Sequence, residues 1–207
     1  MGTKLSISHI RQLFSLTNSN EINYYAEQIE KRNLSKRQLE EIIKNDEYER
    51  LPIETKSKLI HSEKLVVKDL VPNPILIRNK INIEIATEKA LHHLILEDIE
   101  SFMKELGNSF CFIGSEYKIR VGNSFNYIDL LLFNYEYNCF VVAELKVTEL
   151  KKEHIGQIQV YMNYIDENLR NINQDKTIGI IIFKQDNKYI IKYCSDDRII
   201  AREYELV

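Results

Sequence analysis

The stretch YIDLLLFNYEYNCFVVAELKVTELKKEHIGQIQVY, Tyr127–Tyr161, decides how this chain is read. Asp129 opens one apolar run, and a second apolar run ends in Glu144-Leu145-Lys146. Residues two apart on a strand share a face, so Glu144 and Lys146 project together while Leu145 points away. If the two runs pair as a hairpin, Asp129 comes close to that face. Two carboxylates and one ammonium then converge at the edge of an otherwise apolar sheet.

Outward from this stretch, the pattern gives an α/β chain. Residues 5 to 48 read as helical, with a helix over Glu21–Lys31 and another after Ser35, an N-cap with Gln38 placed to complete a capping box. Residues 52 to 80 hold all three prolines, Pro52, Pro72 and Pro74, and read as an irregular connection with a short helix near 55–64. The domain boundary is expected there: residues 1–80 as a helical segment with its linker, and 81–207 as the main domain. Thr87–Leu106 reads as one long amphipathic helix stopped by Gly107. Strands follow over Phe110–Val121, Tyr127–Phe133 and Cys139–Val147, with Gly122-Asn123 as a turn. Glu153–Asn168 reads as a helix. Thr177–Phe183 and Tyr189–Tyr193 read as strands joined by an Asp186-Asn187 turn, and Ile199–Leu206 as an added edge strand. The order is α-β-β-β-α-β-β, a mixed sheet with helices on both faces.

Composition excludes several classes. With 44% hydrophobic and 29% charged residues among 207, the chain has the balance of a globular protein. Its net charge of −3 carries no global signature of a nucleic-acid binder. The part up to residue 90 holds 15 Lys+Arg against 13 Asp+Glu, so the acidic excess lies in the remainder. Cys111, Cys139 and Cys194 show no CxxC spacing, which speaks against a cysteine zinc site, and an odd cysteine count suits a reducing cytoplasm. No apolar run approaches a membrane span, and no internal repeat is evident.

Carboxylates converging beside an ammonium suit a divalent cation and an attacking water. Mg²⁺ takes oxygen ligands and keeps several waters, so Asp129, Glu144 and the Leu145 carbonyl suffice to hold it. Lys146 would then orient the water or stabilise charge on the phosphorane. The residues alone equally allow a structural salt bridge, because Glu-x-Lys on a strand is frequent by chance.

Asp129, fourteen intervening residues and Glu144-Leu145-Lys146 resemble the PD-(D/E)XK nuclease motif. FCFIGSEYKIRVG, YIDLLLF, CFVVAELKV and GQIQVYMNYID together resemble the nuclease domain of the YhcG-like PD-(D/E)XK family of bacteria, and the Gly-Gln pair resembles a motif of Holliday-junction-resolvase-like members. NYYAEQIEKRNLSKRQLEEIIKNDEYERLP resembles the end of that family's N-terminal helical domain, which makes the chain short at that end relative to the family. The resemblance spans about Tyr24 to Leu206. It implies a restriction-endonuclease-like core and a Mg²⁺-dependent endonuclease, with Mn²⁺ as substitute, acting on DNA, with RNA left open. Asp129 and Glu144 would bind metal, Lys146 would assist the water, and Gln157 would orient part of the site with Tyr161 on its face. A first-helix glutamate also belongs to the pattern; Glu97 could supply it, and the FMKELG ending instead sets His92 and His93 at that place. Lys118, Arg120 and Lys151 are candidates for phosphate contacts, each equally readable as a solvated charge, as are Lys152 and Lys192. His154 is readable as a proton donor or as a cap. Most tyrosines, Tyr117 and Tyr189 among them, read as sheet packing. Two strands to cut suggest a homodimer. The other reading is a nuclease-fold module that binds nucleic acid or a protein partner without cutting.

Overall fold

The computed structural model describes residues 5–80, 84–107, 109–185 and 196–207. The chain divides into two compact units, one ending at Leu65 and the other starting at Val66. The first holds α1 (Ile7–Leu13), α2 (Ser19–Arg32), α3 (Lys36–Lys44) and α4 (Ile53–Ile60). Ser35 caps α3 and Gln38 answers in a capping box, as the sequence suggests. Asn33 ends α2 in the left-handed region at φ 51°. Tyr25, Ile29 and Leu39 fill the core of this unit. At its rim the Tyr24 hydroxyl donates to Glu47 (2.6 Å), whose other oxygen takes Arg32 (3.0 Å).

The second unit contains α5 (Val67–Leu70), β1 (Ile75–Ile77), α6 (Glu88–Glu97), α7 (Ile99–Leu106), β2 (Phe110–Val121), β3 (Ser124–Asn134), β4 (Cys139–Glu149), α8 (Lys152–Asn168), β5 (Asp175–Gln185) and β6 (Ile199–Leu206). The strands form one sheet in the order β1-β6-β5-β4-β3-β2. β2, β3 and β4 run as an antiparallel meander; β5 pairs parallel to β4, β6 to β5 and β1 to β6. A mixed sheet flanked by helices is thus the architecture. β4 is central and buried on both sides, which explains its unbroken apolar text. Val141, Ala143 and Leu145 enter the core beneath α6 and α7, while Val142 enters the core beneath α8.

Three expectations need correction. The helix expected over Thr87–Leu106 breaks at Asp98 (φ −134°, ψ 49°), whose carboxylate turns to cap α7 through the Ser101 N–H (3.4 Å) and pairs with Lys80 (2.7 Å). A short acidic side chain competes in this way with the helical ladder. The last strand, β6, is internal rather than an edge, because β1 lies beyond it. β1 itself falls within the stretch read as irregular. Three residues just after Pro72 and Pro74 carry too little periodicity to announce a strand. Cys139 is buried and Cys111 is exposed on the edge strand β2, and both are free thiols. Cys194, Lys192, Tyr189, the Asp186-Asn187 turn and the strand expected over Tyr189–Tyr193 lie outside the described residues. Tyr117 packs against the α8-side core. Among the described residues no helix is long and apolar enough to cross a membrane.

α8 lies close on the sheet at Gly179, where a Cβ would stand 2.6 Å from Met162 Sδ and 2.8 Å from Ile158 Cδ1. At its C-terminal end Asp166 ties the helix down. Its carboxylate accepts from the Thr177 N–H (2.9 Å) and hydroxyl (2.7 Å) and meets Arg198 (3.2 Å). Removing it strands the buried Thr177 and leaves the cations without their acid. Asp166→Ala is therefore expected to cost about 3 kcal/mol, seen as a lower urea midpoint at unchanged slope. An unshifted midpoint would show that the tie contributes nothing.

Candidate active site

The regular β3–β4 ladder ends at the Leu130–Ala143 pair. One step further Asp129 faces Glu144, and there the two backbones exchange side chains instead of carbonyls. The Leu145 N–H donates to Asp129 Oδ2 (2.8 Å), and the Asp129 N–H donates to Glu144 Oε1 (3.4 Å). A strand residue's N–H and C=O point to the same side, so the Leu145 carbonyl is directed toward Asp129 as well. The Leu145 side chain, by contrast, is buried in the α6-side core.

Alternation along β4 brings Glu144 and Lys146 together as the sequence suggests: Lys146 Nζ stands 3.4 Å from Glu144 Oε2. Glu144 is 2% exposed and Lys146 6%. The ammonium has a second acid 3.5 Å away, Glu88 at the start of α6. Thr87 caps this helix by accepting the Ala90 N–H (3.1 Å), which sets Glu88 in the first turn. His92, one turn on, places Nε2 3.2 Å from the Asp129 carbonyl, so that nitrogen donates.

Burial dominates the electrostatics. It raises the Asp129 pKa, and the Leu145 N–H and Lys146 only partly offset it. Burial, then Asp129, pushes Glu144 up to about 8 despite Lys146. Lys146 itself is raised, because Glu144, Glu88 and Asp129 together outweigh its desolvation. Three acids thus surround one cation. That local deficit of positive charge, with hard oxygen donors converging on it, fits a divalent ion of the Mg²⁺ class. Among the described residues, no three His, Cys, Asp or Glu side chains form a metal cage by themselves. Asp129, Glu144 and the Leu145 carbonyl would therefore hold such an ion together with water.

α8 borders the acids from the other side. Gln157 Nε2 donates to the Tyr161 hydroxyl (3.0 Å), one turn along. Burial raises the Tyr161 pKa, and Glu144 and Asp129 add to the rise, which places the hydroxyl within the field of the acid pair. His154 accepts the Lys151 N–H at Nδ1 (3.1 Å), so its neutral ring carries the proton on Nε2. Burial and then Lys146 lower its pKa. It is at once a cap and a neighbour of the site.

Other candidates lie apart. Glu97 sits at the far end of α6, paired with His93 (3.2 Å), about 13 Å along the helix from Glu88. Glu88, not Glu97, is the first-helix acid that the fold brings to Lys146. Lys118 and Arg120 lie on the β2–β3 hairpin toward its turn, Lys118 over the Phe125 ring (3.9 Å) and Arg120 Nε donating to the Gly122 carbonyl (3.2 Å). Lys151 is exposed and stands 3.7 Å from Glu153.

In metal-free buffer the folded state holds a proton on Glu144 that the unfolded chain releases. Wild-type stability should accordingly fall as pH rises from near 4.5 to about 8. Glu144→Gln should flatten that slope and raise Tm at the alkaline end by a few degrees, for about 1–2 kcal/mol. Identical Tm profiles for both proteins over this window would contradict the strained acid pair.

YhcG of Escherichia coli (strain K12) is 24% identical over 205 residues, covering 94% of this chain and 54% of its own length. The chain thus spans about half the length of that curated relative. Among solved structures, the crystal structure of a repair endonuclease from Pyrococcus abyssi aligns with a TM-score of 0.42 at 18% identity, over 60% of this chain and 49% of that one. A structure of an EndoMS–double-stranded DNA complex aligns with a TM-score of 0.38 at 18% identity, over 62% and 48%. A family model, the YhcG PDDEXK nuclease domain, matches residues 67–207, all but the first residue of the unit that carries the acids, and this chain belongs to that family.

Proposed function

We propose that the chain is a metal-dependent endonuclease that hydrolyses phosphodiester bonds in DNA. The observation that carries this reading is the exchange at the end of the β3–β4 ladder, where Asp129 accepts the Leu145 N–H and Glu144 accepts the Asp129 N–H beside a buried Lys146. A fold needs no such arrangement for stability; an apolar continuation of both strands would be better.

Hydrolysis requires an in-line water, neutralisation of charge on the phosphorus oxygens and a stabilised leaving group. A divalent ion, Mg²⁺ or Mn²⁺, bound at the acids would supply Lewis-acid polarisation and a more acidic water. Asp129, Glu144 and the Leu145 carbonyl provide the oxygens that hold it. Lys146 is fixed between Glu144 and Glu88, so its Nζ–H groups are aimed with little loss of freedom. It donates to the attacking water or to the phosphoryl oxygen that gains charge. Glu88, being more exposed, positions Lys146 and adds an acceptor at the mouth. The Gln157–Tyr161 pair lines the α8 side and orients bound water. Lys118, Arg120 and Lys151 are available to phosphates outside the acid pair. A homodimer would bring one such site to each strand of a duplex.

The test is incubation of the protein with linear, nicked, branched and single-stranded DNA, and RNA, in Mg²⁺ or Mn²⁺, beside Lys146→Ala and Glu88→Gln. Wild type should cut at least one substrate. Lys146→Ala should lower kcat by about 10²-fold or more, and Glu88→Gln by roughly ten-fold, as expected of a group acting through another. Mn²⁺ should raise the Tm of wild type and not that of Asp129→Asn. Binding without cleavage of any substrate would leave the non-catalytic module as the correct reading.

A further inference from the structure

The geometry points to a platform on the β2–β3 hairpin for an unpaired nucleic-acid strand. This inference rests on the nuclease reading above and names the form of its substrate.

In the hairpin register Lys118 faces Tyr127 and Arg120 faces Phe125. Cross-strand partners and residues two apart share a face, so all four side chains stand on one side of the ribbon. The contact of Lys118 Nζ with the Phe125 ring, 3.9 Å to its centroid, joins diagonal neighbours on that face. The opposite side is the inner one: Ile119 and Ile128 are buried in the α8-side core.

The four outer residues are all exposed, and the two aromatics unusually so, with Phe125 at 57% and Tyr127 at 52%. Two large rings, two residues apart, leave more than half of their surface in water, where they add little to the stability of the monomer. They alternate with two cations, and no acid occurs between Tyr117 and Ile128, although the chain as a whole carries −3. Aromatic faces for bases with cations for the backbone is the combination that binds single strands without reading sequence. A duplex does not suit it, because stacked and paired bases offer no free face. The exposed cation–π contact is weaker than the stacking of a base on the same ring, so Lys118 is free to swing to a phosphate.

β3 carries both Tyr127 and Asp129, but the alternation breaks between them: Ile128 and Leu131 both enter the α8-side core. The preferred substrate is a junction, flap or overhang that offers unpaired nucleotides to the hairpin.

The experiment uses the full chain in EDTA, where hydrolysis does not interfere. Fluorescence anisotropy compares a blunt duplex with the same duplex carrying a single-stranded overhang. The overhang should bind on the order of ten-fold tighter or more. Phe125→Ala with Tyr127→Ala should abolish the preference while leaving blunt-duplex affinity and the unfolding midpoint unchanged; Phe125→Trp with Tyr127→Trp should retain it. Lys118→Gln with Arg120→Gln should lower the salt slope of overhang binding by roughly two. Equal affinity for the two DNAs, or a preference that survives loss of both rings, would overturn the platform. Failure of each reading is separable: cleavage that depends on Lys146 without any overhang preference removes the platform alone, and overhang preference without cleavage removes the nuclease alone.

Discussion

The second unit is organised around one local failure of β-pairing. Up to Leu130 and Ala143, β3 and β4 satisfy each other with backbone hydrogen bonds. Beyond that pair the strands diverge, and Asp129 and Glu144 supply acceptors where carbonyls would otherwise stand. A buried backbone N–H must find a partner, so the carboxylates cannot be removed without cost to the strands. Equally, the carboxylates cannot be there without raising their own proton affinity, because burial and mutual repulsion both disfavour the charged pair. The same hydrogen bonds that close the ladder therefore hold two acids in a state that welcomes a cation.

What surrounds this notch follows from the need to cover a sheet on both faces. β4 is apolar on both sides, so α6 and α7 pack against one face and α8 against the other. Two of these covering helices, α6 and α8, deliver polar groups from their N-terminal halves over the notch. α6 begins there with capped Glu88, and α8 begins there with His154 and Gln157. The close approach at Gly179 and the Asp166 tie fix α8 along its length, which leaves the Gln157–Tyr161 pair little freedom to drift. Coverage of the core and assembly of the candidate site are thus one packing problem.

How much of this the text disclosed depends on whether the decisive interaction is local. Glu144 and Lys146 share a face because strands have period two, and that needs no tertiary knowledge. The hairpin turn at Gly122-Asn123 and the α8 helix are equally local. Asp98 defeated the periodic reading because the apolar spacing continues across it; only its side chain, turning to Ser101 and Lys80, breaks the helix. The edge assignment of Ile199–Leu206 failed because edge or interior is decided by what lies beyond, here three residues of β1 from far upstream. Glu88 was invisible for another reason. An acid in a first helical turn is expected for the helix dipole alone, so its presence announces nothing until Lys146 is seen beside it.

Net charge misleads in a chain of this kind. A −3 protein should repel a polyanion at long range, but at physiological salt charges separated by more than about 8 Å are largely screened from one another. What a phosphate meets near the site is set by the charges within that distance. Around the acid pair they are three acids and one lysine, which repel a phosphodiester until a divalent cation reverses the balance. Along the β2–β3 hairpin they are Lys118 and Arg120 without an intervening acid, which attract it with no cofactor. The two regions are joined by a single strand, β3, so attraction and chemistry are separated in space yet rigidly registered. Backbone capture by the hairpin would proceed in the absence of metal, while hydrolysis would wait for it. On the proposed platform, an acidic chain would meet nucleic acid through positive charge that is local to the hairpin.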